Sequence, residues 1–193
     1  AGRLISENNI RGVTLVPMLL GRLLDADTSH LKSLTCIVCG GARLEHKLAK
    51  ATMERLGDIL FNLYGTSEAG VAMLATSEDM IKWPGTLGKP LKGAVVRIFD
   101  DNGSEESAGV TGSICIKSRW TVDDTARNWI ATGDLGYRNA NGDYFLCGRY
   151  DDMIVSGGEN VFPADVEQIL LQHPGVTDAA VIGVRDDEFG QRL

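Results

Sequence analysis

LTCIVCGGARLEHKLAKATMERLGDILFNLYGTSE, residues 34–68, decides the fold. It opens on a continuous apolar run, Leu34–Cys39, which predicts a buried strand. Gly40-Gly41-Ala42 breaks that run. Leu44–Leu56 then sets Leu44, Leu48, Ala51 and Leu56 among charged residues, which predicts an amphipathic helix. Ile59–Leu63 is a second strand, and Tyr64-Gly65-Thr66-Ser67-Glu68 follows it as a polar loop. Strand, helix and strand in this order imply parallel strands layered with helices. Ligands bind such sheets beyond the C-terminal ends of the strands. Both Gly40–Ala42 and Tyr64–Glu68 stand there.

Working outward, Gly12–Val16 reads as a strand, Met18–Leu24 as a helix and Val71–Ala75 as a further strand. Residues 1–84 are therefore expected to form an α/β unit. Residues 85–147 change character. Val95–Phe99, Ser113–Lys117 and Tyr144–Cys147 are short β runs, and DDNG at 100–103 and NANGD at 139–143 mark turns between them. A small antiparallel β-module is expected. In residues 148–193, Arg149–Ser156 and Asn160–Phe162 predict a hairpin around Gly157-Gly158. Pro163 opens a helix over Ala164–Gln172, closed before Pro174-Gly175, and Val176–Val184 reads as a strand.

The charge is uneven. The 193 residues carry a formal net charge of −7. Up to residue 147 there are 16 basic and 17 acidic groups; from Gly148 onward there are 3 and 9. This balance argues against nucleic acid or an anionic membrane as the main partner, since both need clustered cations. No apolar run reaches the roughly 18 residues of a membrane span. The first residues, AGRLISENNIRG, lack a signal peptide's apolar core and do not begin with Met, which suggests an excised chain.

Cys36-x-x-Cys39 invites a zinc or redox reading, but no second such pair or nearby His completes a tetrahedral set. On a strand, residues three apart point to opposite faces, so the two thiols are expected to diverge. Reduced thiols fit a cytoplasmic location. His30, His46 and His173 read as surface residues.

Taken together, six strings in order carry a resemblance: Gly40-Gly41-Ala42, YGTSE at 64–68, TLGKP at 86–90, TGDLG at 132–136, GRYDDMIVSGGENVFPADVE at 148–167 and HPGVTDAAVIGV at 173–184. They resemble the adenylate-forming, AMP-binding superfamily, most closely its acyl- and aryl-CoA synthetases. The resemblance implies an α/β plus β fold. Part of the large adenylate-forming domain, with a parallel α/β layer and a small distorted β-barrel, precedes the start of an α+β C-terminal domain.

The residues themselves suit these roles. Tyr64 has a flat face for a purine, and Gly65 allows close backbone approach. Ser67 offers a hydroxyl to phosphate, where the family more often has Thr. Glu68 is a hard carboxylate of the kind Mg²⁺ prefers alongside phosphates. By resemblance, Ser67 and Glu68 are the candidate catalytic residues and Glu68 the metal ligand. Asn62 can both donate to and accept from an adenine edge, and Gly40, Gly41 and Ala42 resemble the segment that lines the adenine and acyl pocket. The resemblance implies that Asp134 accepts the ribose hydroxyls and that Arg149 makes a second ribose or phosphate contact. Asp151 resembles the hinge about which the C-terminal domain turns. Gly157 and Gly158 resemble the loop lining a CoA tunnel. Taken singly, each of these also reads as an ordinary turn, cap or surface residue.

The implied substrates are a fatty or aryl carboxylic acid, ATP and CoA, with AMP leaving in the second step. Leu15–Leu20 and Val71–Leu74 suit a near wall of the acyl pocket. The family's phosphate loop is expected before residue 1, and its C-terminal lysine after Leu193; no Lys follows Lys117. The isolated chain is therefore expected to be inactive. Arg119–Asn128 looks shorter than the family's usual form. The alternatives are an acyl-AMP ligase that loads a carrier protein and a non-catalytic nucleotide-binding or interaction fragment.

Overall fold

The computed structural model describes residues 1–121 and 128–193. The N-terminal part runs α1 (Gly2–Glu7), β1 (Gly12–Leu15), α2 (Pro17–Asp25), a 3-10 turn (Thr28–Leu31), β2 (Cys36–Gly40), α3 (His46–Leu56), β3 (Leu60–Thr66), β4 (Gly70–Ala75) and α4 (Ser77–Lys82). Strands β1, β2 and β3 are parallel, with Gly12–Leu15 beside Cys36–Cys39 and Ile37–Gly40 beside Leu60–Leu63. The expected parallel layer is present, and Gly40 and Thr66 end their strands at the same edge of it.

Sequence chemistry sets the helix ends. Pro17 occupies the first turn of α2, where its missing N–H costs nothing. Leu20, Leu23 and Leu24 then fall on its buried face. In α3 the buried centre is Ala49 and Thr52, with Leu48, Met53 and Leu56 packed beside it. Helix α4 starts at a capping box: Thr76 accepts from the Asp79 backbone, and Asp79 accepts from Thr76. These helices close over Ile37, Cys39 and Leu60 to form one core.

The remaining large strands are β5 (Thr86–Pro90), β6 (Ala94–Phe99), β7 (Gly112–Ser118), β8 (Ile130–Arg138) and β9 (Tyr144–Arg149). They extend the first layer into one nine-stranded sheet ordered β1-β2-β3-β4-β5-β9-β8-β7-β6. From β3 onward every pairing is antiparallel. β6 curls back against β4. A second core fills the curl, with Met73, Ile114, Ile116 and Tyr144 at its centre. Stacked rings of Tyr137 and Phe145, 4.9 Å apart, pin the β8–β9 register. Part of Arg119–Asn128 lies outside the described residues.

From residue 148 a separate four-stranded sheet forms, ordered β11-β10-β13-β12. Its strands are β10 (Ile154–Ser156), β11 (Glu159–Val161), β12 (Val184–Asp186) and β13 (Gly190–Arg192), with α5 (Pro163–Leu170) beside them. The hairpin arm is shorter than expected, because Arg149 ends β9 and residues 150–152 turn. The strand expected over Val176–Val184 is corrected: residues 177–183 are irregular and only Val184 enters a strand. Backbone N–H groups of that run go to side chains instead of a ladder, Ala179 to Asp178 and Val181 to Glu167, and Ile182 is exposed.

The four cysteines are free. Cys39 is buried and Cys36 half-buried, as opposite faces of β2 require. Burial pushes the Cys39 thiol up to about 11 and also raises those of Cys115 and Cys147, so all three stay protonated at neutral pH. The three histidines are exposed. Among the described residues no helix is long and apolar enough to cross a membrane.

Candidate active site

A cleft of about 1200 Å³ opens where the parallel layer, the antiparallel strands and the C-terminal segment meet. The sheet supplies two of its walls. Gly41 and Ala42 follow β2, and Asn62 to Glu68 come from β3 and the turn after it. Thr132 and Asp134 come from β8, and Gly148 and Arg149 from the end of β9.

The geometry of β3 is set by Gly65. The strand bulges between Tyr64 and Gly65 as it pairs with β4. A Cβ on Gly65 would lie 2.2 Å from the Gly70 carbonyl oxygen. The close approach that requires this glycine is thus with the neighbouring strand, and it turns Tyr64 toward the cleft. Asn62 is buried and donates to the Thr86 carbonyl on β5 at 3.1 Å. That bond leaves the amide oxygen for the cleft.

Tyr64, Asp134 and Arg149 form one connected group. Asp134 and Arg149 face each other across β8 and β9. Arg149 Nη1 lies 3.3 Å from Asp134 Oδ1 and donates to the Thr132 carbonyl at 3.2 Å. The Tyr64 hydroxyl donates to Asp134 Oδ2 at 2.5 Å. Thr132 Oγ1 accepts from the Asp134 backbone N–H and donates to the Ile114 carbonyl, so the strand backbone is fixed as well. Burial, and then the bond to the Asp134 carboxylate, hold the Tyr64 hydroxyl well above the usual phenol range. It stays a neutral donor at any ordinary pH.

Ser67 and Glu68 lie exposed on the rim of the cleft. Glu68 makes no hydrogen bond or ion pair with another described residue. An unengaged carboxylate on an open rim, with a hydroxyl beside it, suits a hard divalent ion shared with phosphate oxygens. No group of three His, Cys, Asp or Glu side chains forms a protein-only metal site among the described residues.

The third wall comes from the C-terminal segment: Phe162, Pro163, Ala164 and Glu167, and residues 181–183. Polar contacts hold it against the N-terminal layer. Arg43 Nη1 lies 3.7 Å from Asp165, Gln168 donates to Glu45 at 3.3 Å, and Lys47 donates to the Leu171 carbonyl at 3.3 Å.

The cleft therefore gathers Gly41, Ala42, Asn62, Tyr64, Gly65, Ser67, Glu68, Asp134 and Arg149. Gly40 sits just behind, at the end of β2. Asp151 stands outside, exposed in the turn after β9, 3.9 Å from Arg149 Nη2. Gly157 and Gly158 also lie outside, at the β10–β11 turn, both with positive φ, where a two-residue hairpin demands glycine. Leu15–Leu20 and Val71–Leu74 do not line the cleft; Ala72 and Met73 are in the second core. Leu44, Leu63, Leu87 and Leu146 line the cleft instead, together with Phe162, Val181 and Ile182 of the C-terminal segment. Sequence reasoning passed over Arg43, Thr132 and Glu167. Thr132 sits inside the TGDLG string, and Arg43 directly follows Gly40–Ala42.

A sequence profile described as "AMP-binding enzyme" matches residues 2–123, and its companion "AMP-binding enzyme C-terminal domain" matches residues 165–193. The chain belongs to the AMP-binding enzyme family. Within it, the medium/long-chain-fatty-acid–CoA ligase FadD8 of Mycobacterium tuberculosis is 34% identical over 99% of this chain and 36% of its own length. A 2-succinylbenzoate–CoA ligase of Bacillus cereus is 34% identical over 94% of this chain and 41% of its own. The o-succinylbenzoate CoA synthetase of Bacillus subtilis, solved with its acyl-adenylate intermediate, superposes with a TM-score of 0.84 at 29% identity, over 97% of this chain and 41% of that one. The amide bond synthetase McbA of Marinactinospora thermotolerans superposes with a TM-score of 0.87 at 30% identity, over 98% and 42%. The chain thus spans about two fifths of the length of the AMP-binding enzymes it matches. Their fold is the one found here, a mixed sheet layered with helices and followed by a smaller C-terminal unit.

Proposed function

We propose that this chain forms the nucleotide-facing part of an ATP-dependent acyl-CoA synthetase. In this reading residues 1–84 and 85–147 are two subdomains of the large domain, and residues 148–193 begin the mobile one. The observation that carries it is the convergence of Tyr64, Asp134 and Arg149 with Ser67 and Glu68 on one cleft. A fatty or aryl carboxylate attacks the α-phosphorus of ATP, pyrophosphate leaves, and the CoA thiol then displaces AMP from the acyl-adenylate. Both steps depend on positioning and on neutralising phosphate charge more than on a protein nucleophile.

The chain's own residues divide that work. Tyr64 and Asn62 hold the adenine, with Gly40, Gly41 and Ala42 on its other side. Asp134 and Arg149 hold the ribose and the adjoining phosphate. Ser67 donates to a phosphate oxygen. Glu68 would hold Mg²⁺ together with phosphate oxygens; when bound, that ion supplies positive charge against the triphosphate. Leu44, Leu63, Leu87 and Leu146 give the acyl group an apolar surface. Asp151 lies in the turn through which the C-terminal segment would rotate, bringing the loop of Gly157 and Gly158 to the pantetheine arm. The four free thiols support a cytoplasmic location.

The test is carboxylate-dependent exchange of labelled pyrophosphate into ATP by the longer enzyme, followed by AMP release on adding CoA. Glu68→Gln is expected to lower exchange by two orders of magnitude or so, while leaving metal-free AMP affinity within about twofold. Exchange that needs no carboxylate sinks the proposal. The likeness to an amide bond synthetase favours a second reading, in which an amine takes the acyl group in place of CoA. Product release driven by amines and indifferent to CoA would select it.

A further inference from the structure

The protein itself holds the Asp134 carboxylate from both sides. Arg149, across the β8–β9 ladder, occupies Oδ1. Tyr64, from β3 in the same sheet, occupies Oδ2. The two braces have different origins. Arg149 is Asp134's direct neighbour in the sheet, whereas Tyr64 reaches it from a strand 70 residues earlier. Asp134 is 9% exposed, so few water molecules compete for it.

Two facts about carboxylates make the second brace matter. The terminal torsion of an Asp side chain is soft, with a broad rather than a three-well preference. An ionised carboxylate also offers about four acceptor positions, of which Tyr64 and Arg149 use one each. A second fixed donor stops the group from turning and aims the two remaining positions. Two aimed acceptors match the two hydroxyls of a vicinal diol.

Resting on the reading that the cleft takes an adenine nucleotide, we infer that the Tyr64 hydroxyl is a positioning group for ribose recognition, a role distinct from the ring face that meets the base. It fixes the rotation of the Asp134 carboxylate so that the 2′ and 3′ hydroxyls find both acceptors in place. Losing the hydroxyl should therefore damage recognition of the diol and spare recognition of the base. A hydroxyl that serves only to satisfy a half-buried phenol makes no such distinction between ligands.

The experiment is calorimetry of this chain with AMP and with 2′-deoxy-AMP, for the wild type and Tyr64→Phe. The wild type should bind AMP more tightly than the deoxy form. In Tyr64→Phe the AMP dissociation constant should rise about fivefold, with that of 2′-deoxy-AMP unchanged within about twofold. Equal weakening of both ligands, or undiminished discrimination, overturns the inference. Wild-type binding of AMP without discrimination also overturns it while leaving the nucleotide site standing. Failure of the wild type to bind AMP at all removes the underlying reading and the inference with it. If Tyr64→Phe does not fold, a site-specific 4-fluorophenylalanine at 64 fills the space of the hydroxyl without a proton to donate. Discrimination must then fall as in Tyr64→Phe, and its persistence overturns the inference.

Discussion

Two sides of the same cleft are built in different ways. The side made by β3, β8 and β9 belongs to a nine-stranded sheet, and its functional groups are fixed by strand register, by a bulge and by bonds between buried groups. The side made by the C-terminal segment rests on α5, which has no buried residue, and on exposed polar contacts. The first wall can hold a ligand in one geometry. The second is held by fewer and weaker contacts.

The largest expected effect comes from breaking the sheet side at its centre. Asp134→Ala removes the acceptor shared by Tyr64 and Arg149 and leaves a half-buried phenol without its partner. Hydrogen bonds to a charged group are worth about 1.5–3 kcal/mol each. AMP affinity is expected to fall about a hundredfold, measured by calorimetry. A loss under threefold would mean that Asp134 does not face the ligand. Gly65→Ala comes next, acting on the frame. The added methyl meets the Gly70 carbonyl at 2.2 Å, and both partners are backbone in paired strands, so neither yields without moving β3 or β4. A destabilisation of about 2–3 kcal/mol is expected in denaturant melts, with AMP affinity lowered as Tyr64 shifts. A neutral Gly65→Ala would show that the bulge does not set the wall.

The same contrast explains what was legible in the sequence. Residues 34–68 were readable because each element there carries its own period, a buried run or an amphipathic face, and the polar loop sits where the strand stops. β8 was not, since Gly133, Asp134 and Gly136 are poor strand formers; pairing with β7 on one side and β9 on the other overrides that preference. Gly88 and Pro90 hid β5 in the same way. α4 did carry a signal, the capping box of Thr76 and Asp79, but its 6 residues are too few to show a helical period. Val176–Val184 failed in the other direction, as an apolar run whose backbone bonds to the Asp178 and Glu167 side chains instead of a ladder. Among the site residues, the strings at 64–68 and 132–136 were visible one by one. The bond that joins them was not, because no local pattern encodes a contact across 70 positions.

The smallest expected effect lies on the other wall, and there the smallness is the point. Arg43 carries an ion pair of 3.7 Å to Asp165, with the two side chains 31% and 55% exposed. A pair this long and only partly exposed contributes about 0–1 kcal/mol. Arg43→Ala should therefore leave the melting temperature of the sheet within about 2 °C. The segment beyond residue 148 is strongly acidic, with 3 basic groups against 9 acidic. Among the described residues, Arg43 and Lys47 are cations that it meets on the N-terminal layer. Losing one of them should raise hydrogen exchange in α5 several-fold while that of β3 and β8 stays unchanged. Salt should reproduce part of the effect in the wild type, because Asp165 is exposed and charges in solvent are screened over about 10 Å at 0.1 M. If Arg43→Ala instead lowers the stability of both walls together, the C-terminal segment is part of one cooperative unit with the sheet, and the contrast between the two sides of the cleft does not hold.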